Sequence, residues 1–320
     1  MTQEELIQKI DILRKEKHAI IMAHYYQTAD IQAIADFIGD SLALAQKAKT
    51  TDAQIIVICG VHFMGETAKI ICPDKKVLVP DLHAGCSLAD SCNAEDLRAM
   101  KEQHPDHIVV SYVNTTAEVK ALTDVCVTSS NAKKIVDMLP KDAKIIFGPD
   151  RNLGNYINSL TGRHMLLWNG ACHVHERFSV ERLVELKKKH PAAKVLAHPE
   201  CKAAVIALAD VVGSTAALLE YAKKSDSIEF LVATESGILF EMQRACPEKT
   251  FIPVPPEMSE SFDKEGNLIP CACNECDYMR MNTMQKLYDC LNEEKNEIFV
   301  APEIAEKAVV CIDKMLEMSK

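Results

Sequence analysis

The sequence predicts an α/β fold: three α/β/α sandwich domains with short parallel sheets, related to one another by pseudo-threefold symmetry. An internal repeat is the first observation behind this. Residues 24–48 laid over 198–222 coincide at nine of 25 positions, among them His24/His198, Asp36/Asp210, Gly39/Gly213 and Leu44/Leu218. Halfway between, residues 112–136 repeat the pattern at Thr28/Thr116, Ala29/Ala117, Ala33/Ala121, Asp36/Asp124 and Ser41/Ser129. Self-similarity at a fixed period marks an array of one supersecondary unit, here about 87 residues long. The second observation is the texture of the apolar runs. They are short, continuous and separated by stretches of helical period, as strands buried on both faces of a parallel sheet must be. Third, 320 residues at 48 % hydrophobic and 26 % charged have the composition of an ordinary globular protein with room for several packed units.

In chain order, residues 1–17 form an amphipathic helix ahead of the repeats. Strands are expected near 19–23, 36–39, 55–59 and 77–79, with helices near 30–35, 41–48, 65–71 and 94–102. The run ending at Cys59-Gly60 corresponds to the run ending at Phe147-Gly148, and Val77–Pro80, Met165–Trp168 and Phe251–Val254 keep the same offsets. Pro105, Pro191 and Pro255-Pro256 fall near the ends of copies. The expected division is therefore 1–104, 105–190 and 191–320, the last unit carrying a cysteine-rich loop and a second amphipathic helix at 303–319.

Charge narrows the function. The 36 Lys+Arg against 46 Asp+Glu leave a net charge of −10 and no basic stripe to neutralise phosphates, which argues against a nucleic-acid partner. No run of 18 apolar residues and no charged-then-apolar leader occurs, so neither a membrane span nor a secretory signal is expected and the cytoplasm is the expected location. Thirteen cysteines are many for that compartment, where disulfides are rare. Cys59, Cys126, Cys246, Cys290 and Cys311 sit in apolar runs as small hydrophobes. Some of the others need a chemical reason.

In open parallel sheets, ligands bind beyond the carboxyl ends of the strands. There the copies diverge: His24 and Tyr26 in the first, Tyr112 and Asn114 in the second, His198 and Glu200 in the third. After each second strand stand Ser41, Ser129 and Thr215, each expected to open and cap a helix, and so to offer N–H groups to a carboxylate or phosphate. After the fourth strands come Cys86, Cys172 and, in a longer loop, Cys271, Cys273 and Cys276. One thiolate from each copy would meet on the pseudo-threefold axis, leaving a fourth metal position open to substrate. The three clustered thiols could alternatively form a small zinc knuckle of their own. Cys92 and Cys201 are expected not to be ligands.

These motifs resemble a known family. AHYYQTADIQ around His24 and Tyr26, GDSL at Ser41, GCSLAD at Cys86, YVNTTAEVKA at Tyr112 and Asn114, TSSNA at Ser129 and GPDRNLG at Asp150 are similar, in order, to the quinolinate synthases. GACHVHERF at Cys172 and His175, HPEC at His198 and Glu200, GST at Thr215 and the tail after Cys276 extend the likeness over nearly the whole chain. The family consists of iron–sulfur enzymes of de novo NAD biosynthesis.

The resemblance implies a [4Fe–4S] cluster on Cys86, Cys172 and Cys276 with one iron open, Cys276 being chosen because the family's tail follows it directly. It implies condensation of iminoaspartate with dihydroxyacetone phosphate to quinolinate, phosphate and water. Tyr26, His198, Glu200 and His24 would be the acids and bases. Ser41, Tyr112, Asn114, Ser129, His175 and Thr215, with His24, His198 and Glu200, would bind substrate. It further implies small-molecule substrates and transient contact with the enzyme that supplies iminoaspartate. Cys271 and Cys273 would be free to form a redox-sensitive disulfide. Two rivals are an iron–sulfur dehydratase for another hydroxy acid and a cluster-based redox sensor; the ring of acid/base groups speaks against the sensor.

Overall fold

The structure, a computed structural model, describes residues 1–257 and 274–320. Three four-stranded parallel sheets form its frame. The first contains β1 (Ala19–His24), β2 (Phe37–Gly39), β3 (Ile55–Cys59) and β4 (Lys76–Leu78) in the order β2-β1-β3-β4. The second contains β5 (His107–Tyr112), β6 (Val125–Val127), β7 (Lys144–Gly148) and β8 (Leu166–Leu167) in the order β6-β5-β7-β8. The third contains β9 (Lys194–Ala197), β10 (Val211–Val212), β11 (Glu229–Ala233) and β12 (Thr250–Pro253) in the order β10-β9-β11-β12. The topology is the same each time, with helices on both faces. The expected α/β architecture of three sandwiches is what the chain adopts.

One repeated residue explains why the second strand always starts where it does. Asp36, Asp124 and Asp210 each accept, through Oδ2, the N–H of Ile21, Val109 and Val195 at 2.9, 2.8 and 2.8 Å. Each returns its own N–H to the carbonyl of that same residue. The pair of bonds pins the short second strand beside the first, so a carboxylate is required at that point in every copy.

The two long helices that follow the third sheet do not stay with it. Leu6 and Ile10 of the N-terminal helix Gln3–Glu16 share a core with Leu287, Cys290 and Leu291 of helix Met284–Glu293, beneath the first sheet. Helix Pro302–Met318 comes after the third sheet in sequence but packs on the second, burying Ala308, Cys311, Ile312 and Met315 among Val125, Cys126, Val127 and Ile135. Cys59, Cys126, Cys246, Cys290 and Cys311 are all buried.

One expectation is corrected. The hydroxyls after the second strands are not the helix caps. Asp40 caps helix Ser41–Thr50 by accepting Ala43 N–H at 2.9 Å, and Ser214 caps helix Thr215–Lys224 by accepting Ala217 N–H. Ser129 lies two residues before Asn131, the residue at the start of helix Ala132–Met138, whose side chain accepts Thr128 N–H at 2.6 Å. The neighbour one step earlier has the better capping geometry, because a cap must still be extended while the next residue is already helical. Ser41 and Thr215 are thereby left with hydroxyls free for other partners.

Candidate active site

The strand ends of all three sheets open on one cavity enclosing, with its mouth, about 670 Å³. His24, Tyr26, Ser41, Cys86, Tyr112, Asn114, Ser129, Cys172, His175, His198, Glu200, Thr215 and Cys276 all line it. Cys271 and Cys273 lie outside the described residues, as does any pairing between them. Cys92 is buried away from the cavity wall, and Cys201 is buried with its thiol donating to Ala233 O.

A line of hydrogen bonds crosses the site from the first repeat to the second by way of the third. Tyr26 Oη lies 2.8 Å from Thr234 Oγ1, Thr234 Oγ1 lies 3.0 Å from His175 Nε2, and His175 Nδ1 lies 2.9 Å from Glu200 Oε2. Tyr112 O–H donates to Glu200 Oε1 at 2.5 Å. The orientation that satisfies every member has Tyr26 donating to Thr234, Thr234 donating to His175, and His175 Nδ1–H donating to the carboxylate. Tyr26 Oη also meets Thr215 Oγ1 at 2.8 Å.

His24 and His198 are matched by the repeat and by their bonding. Each accepts at Nδ1 the N–H two residues on, from Tyr26 at 3.2 Å and from Glu200 at 3.4 Å. Nε2 of each is then the protonated nitrogen, and in His198 it points to Ser129 Oγ at 3.2 Å. Burial pushes His24 down to about 4 and His198 down to about 3, against the weaker pull of nearby carboxylates, so both rings are neutral at pH 7.

The phenols and the carboxylate are set apart by their environments. Burial, reinforced by the Glu200 charge, holds the Tyr26 and Tyr112 hydroxyls well above the usual tyrosine range, so both keep their protons. Burial raises Glu200 too, but the two histidines and the bonds from His175 and Tyr112 outweigh it and hold the carboxyl below the usual range. An ionised carboxylate flanked by protonated phenols pairs a proton acceptor with proton donors in one enclosed space.

The three thiols line the cavity without closing on a single ion. Among the described residues, the grouping of three with ligand atoms all within 4.8 Å of one another is Cys172, His175 and Glu200; Cys86, Cys172 and Cys276 form no such group. Thiolates on one tetrahedral zinc, at about 2.3 Å from the metal, would stand about 3.8 Å apart. The three sulfurs stand too far apart for one zinc ion to hold all of them. In the trio Cys172, His175 and Glu200, His175 Nδ1 lies 2.9 Å from Glu200 Oε2 and 3.2 Å from Cys172 Sγ.

Cys86 and Cys276 each stand at the start of a short helical turn, Ser87–Asp90 and Asp277–Arg280. Backbone N–H groups of Leu88 and Ala89, of Tyr278 and Met279, and of His175 are directed at the three sulfurs. Burial nevertheless pushes the thiols up, Cys86 to about 12, Cys276 to about 11 and Cys172 well above the usual thiol range. A bound cation would favour their thiolate forms.

A family model described as quinolinate synthetase A protein matches residues 8–317. The chain belongs to the quinolinate synthetase A family. Among relatives of that family, the quinolinate synthase of Microcystis aeruginosa is 54 % identical over 99 % of this chain and 96 % of its own. That of Chloroherpeton thalassium is 51 % identical over 100 % and 96 %, and that of a Synechocystis strain 53 % over 98 % and 96 %. Family membership makes the chain an enzyme. No helix of the described residues is long and apolar enough to cross a membrane.

Several residues of the site escaped the sequence reading. Thr234 joins Tyr26 to His175; it directly follows β11, so the strand-end rule applied to the third strand would have found it. Thr128 lines the cavity beside Ser129 with its hydroxyl buried and unpartnered. Glu235 is fully buried and accepts Cys276 N–H at 3.1 Å, Arg280 Nη2 at 3.0 Å and Gly237 N–H at 2.7 Å.

Proposed function

We propose that the enzyme condenses iminoaspartate with dihydroxyacetone phosphate to quinolinate, releasing phosphate and two waters. The observation that carries this reading is the bonded line from Tyr26 to Tyr112 through Glu200, facing three thiols in one cavity. Ring assembly by successive eliminations needs one group to take a proton from carbon and others to protonate departing oxygen. Glu200 is ionised and placed to accept. Tyr26 and Tyr112 hold protons to give, and Thr234 and His175 connect Tyr26 to the carboxylate. His24 and His198, both neutral, offer Nε2–H to substrate oxygens.

Both substrates are anionic. Ser41 and Thr215, relieved of capping, sit on the first turns of two ten-residue helices whose N-termini favour negative charge. With Ser129 and the unpartnered Asn114 Oδ1 they supply polar contacts for carboxylate, amine and phosphate. A [4Fe–4S] cluster on Cys86, Cys172 and Cys276, its fourth iron without a protein ligand, would supply Lewis-acid polarisation of a substrate oxygen. The enclosed site and the soluble substrates agree with work in the cytoplasm.

The test is iron and sulfide analysis of anaerobically purified protein, with quinolinate formation measured on the same samples. About four irons per chain are expected, lost in Cys86→Ala, Cys172→Ala and Cys276→Ala. Zinc in place of iron, or iron unaffected by these substitutions, would sink the cluster. Dehydration of another hydroxy acid without quinolinate formation would point instead to an iron–sulfur dehydratase.

A further inference from the structure

Tyr26 and Asn114 occupy the same position in the first and second repeats, two residues past the first strand. Six residues further on, also in register, stand Gln32 and Lys120. Both side chains are fully buried, an expensive setting for an amide and more so for an ammonium. Gln32 Nε2 donates to Tyr25 O at 3.0 Å and Gln27 O at 2.8 Å, the carbonyls on either side of Tyr26. Lys120 Nζ donates to Val113 O at 2.9 Å and to Thr115 O, the carbonyls on either side of Asn114. Different residue types thus make the same pair of bonds at the same place in two copies.

We infer that Gln32 and Lys120 are positioning residues, each clasping the backbone around one side chain of the cavity and setting the direction in which Tyr26 and Asn114 enter it. A carbonyl fixed on both sides of a residue leaves the intervening Cα–Cβ bond little freedom. The first clasp also reaches the third repeat, for Gln32 Nε2 donates to Gly237 O at 2.9 Å. A Cβ on Gly237 would lie 2.8 Å from Tyr26 Cα, so the two loops meet with no room to spare. Gln32 holds three carbonyls with one nitrogen while its own Oε1 is buried without a partner. A residue present only to fill the core would not accept that cost. The second clasp has the Phe63 ring, itself part of the cavity wall, 5.5 Å from Lys120 Nζ.

The third repeat dispenses with the device. Ile206 stands at the matching position, packed against the third core. Glu200 is aimed by its charged end, through Tyr112 and His175, and by Asn152 Nδ2 donating to Glu200 O at 3.0 Å. Asn114, whose Oδ1 has no protein partner, is held at its root alone, whereas Tyr26 is clasped at its root and bonded at its tip to Thr215 and Thr234.

The inference rests on the proposed reaction, and a double-mutant cycle tests it. Lys120→Met should lower kcat/KM for quinolinate formation about tenfold or more in the wild-type background and much less in Asn114→Ala, because the clasp acts through Asn114. Gln32→Met should behave the same way against Tyr26→Phe, and it removes no charge, so it reports even if Lys120→Met does not fold. Lys120→Gln, which borrows the first repeat's own residue, should recover most of the loss. Equal losses in both backgrounds, or Lys120→Gln as poor as Lys120→Met, would reduce both residues to core filling. Should wild type make no quinolinate, the substrate reading has failed but the clasp is still decided by crystal structures of the two Met variants. Unchanged Tyr26 and Asn114 side chains there would overturn it.

Discussion

Tyr112 O–H donates to Glu200 Oε1 at 2.5 Å across the boundary between the second and third repeats. The bond favours the ionised carboxyl, so its loss raises the proton affinity of Glu200. Tyr112→Phe should therefore move the acid limb of the kcat/KM profile to higher pH. Glu200→Gln should lower kcat by about 10²- to 10⁴-fold with iron content unchanged. Full activity in Glu200→Gln with its iron in place would remove the carboxylate from the chemistry.

Acid should weaken the fold through His24. Its folded value of about 4 lies below the unfolded value near 6.5, so below pH 6.5 the unfolded chain binds a proton that the folded chain refuses. Stability is complete above that window and is lost as pH falls through it, by about 2 kcal/mol between pH 7 and 5 from this residue. Urea unfolding midpoints measured across the range should fall for wild type and fall less for His24→Gln. An identical slope in the two proteins would mean that His24 takes up protons equally in both states.

Much of this was legible because the chain repeats. The identical aspartates at 36, 124 and 210 share one bonding pattern, and the residues that differ at strand ends all face one cavity. What could not be read depends on partners distant in sequence or on a choice between neighbours. Asp40 rather than Ser41 caps its helix because a cap must precede the helical turn, a difference of one residue that composition does not reveal. Thr234 stands at a strand end, but its bonds to Tyr26 and His175 join partners 208 and 59 residues away, which the sequence does not reveal. Gln32 and Lys120 stand in register but differ in kind, and only their shared acceptors disclose a common task. The helix at 302–318 was legible as amphipathic, but its apolar face says nothing about which sheet receives it.

That last helix has a consequence in time. Cys311 Sγ lies 3.1 Å from Cys126 Sγ, 185 residues earlier in the chain. Translation at roughly 5–20 residues per second leaves the β6 face of the second repeat uncovered for about 10 to 40 s before its lid is made. During that interval the nascent chain displays Val125, Val127 and Ile135 to the cell, and folding can finish only after the repeats themselves are complete. A chain cut before Pro302 should bind an apolar dye and precipitate where the full chain does neither. If it stays monomeric and dye-free, the second repeat closes without help.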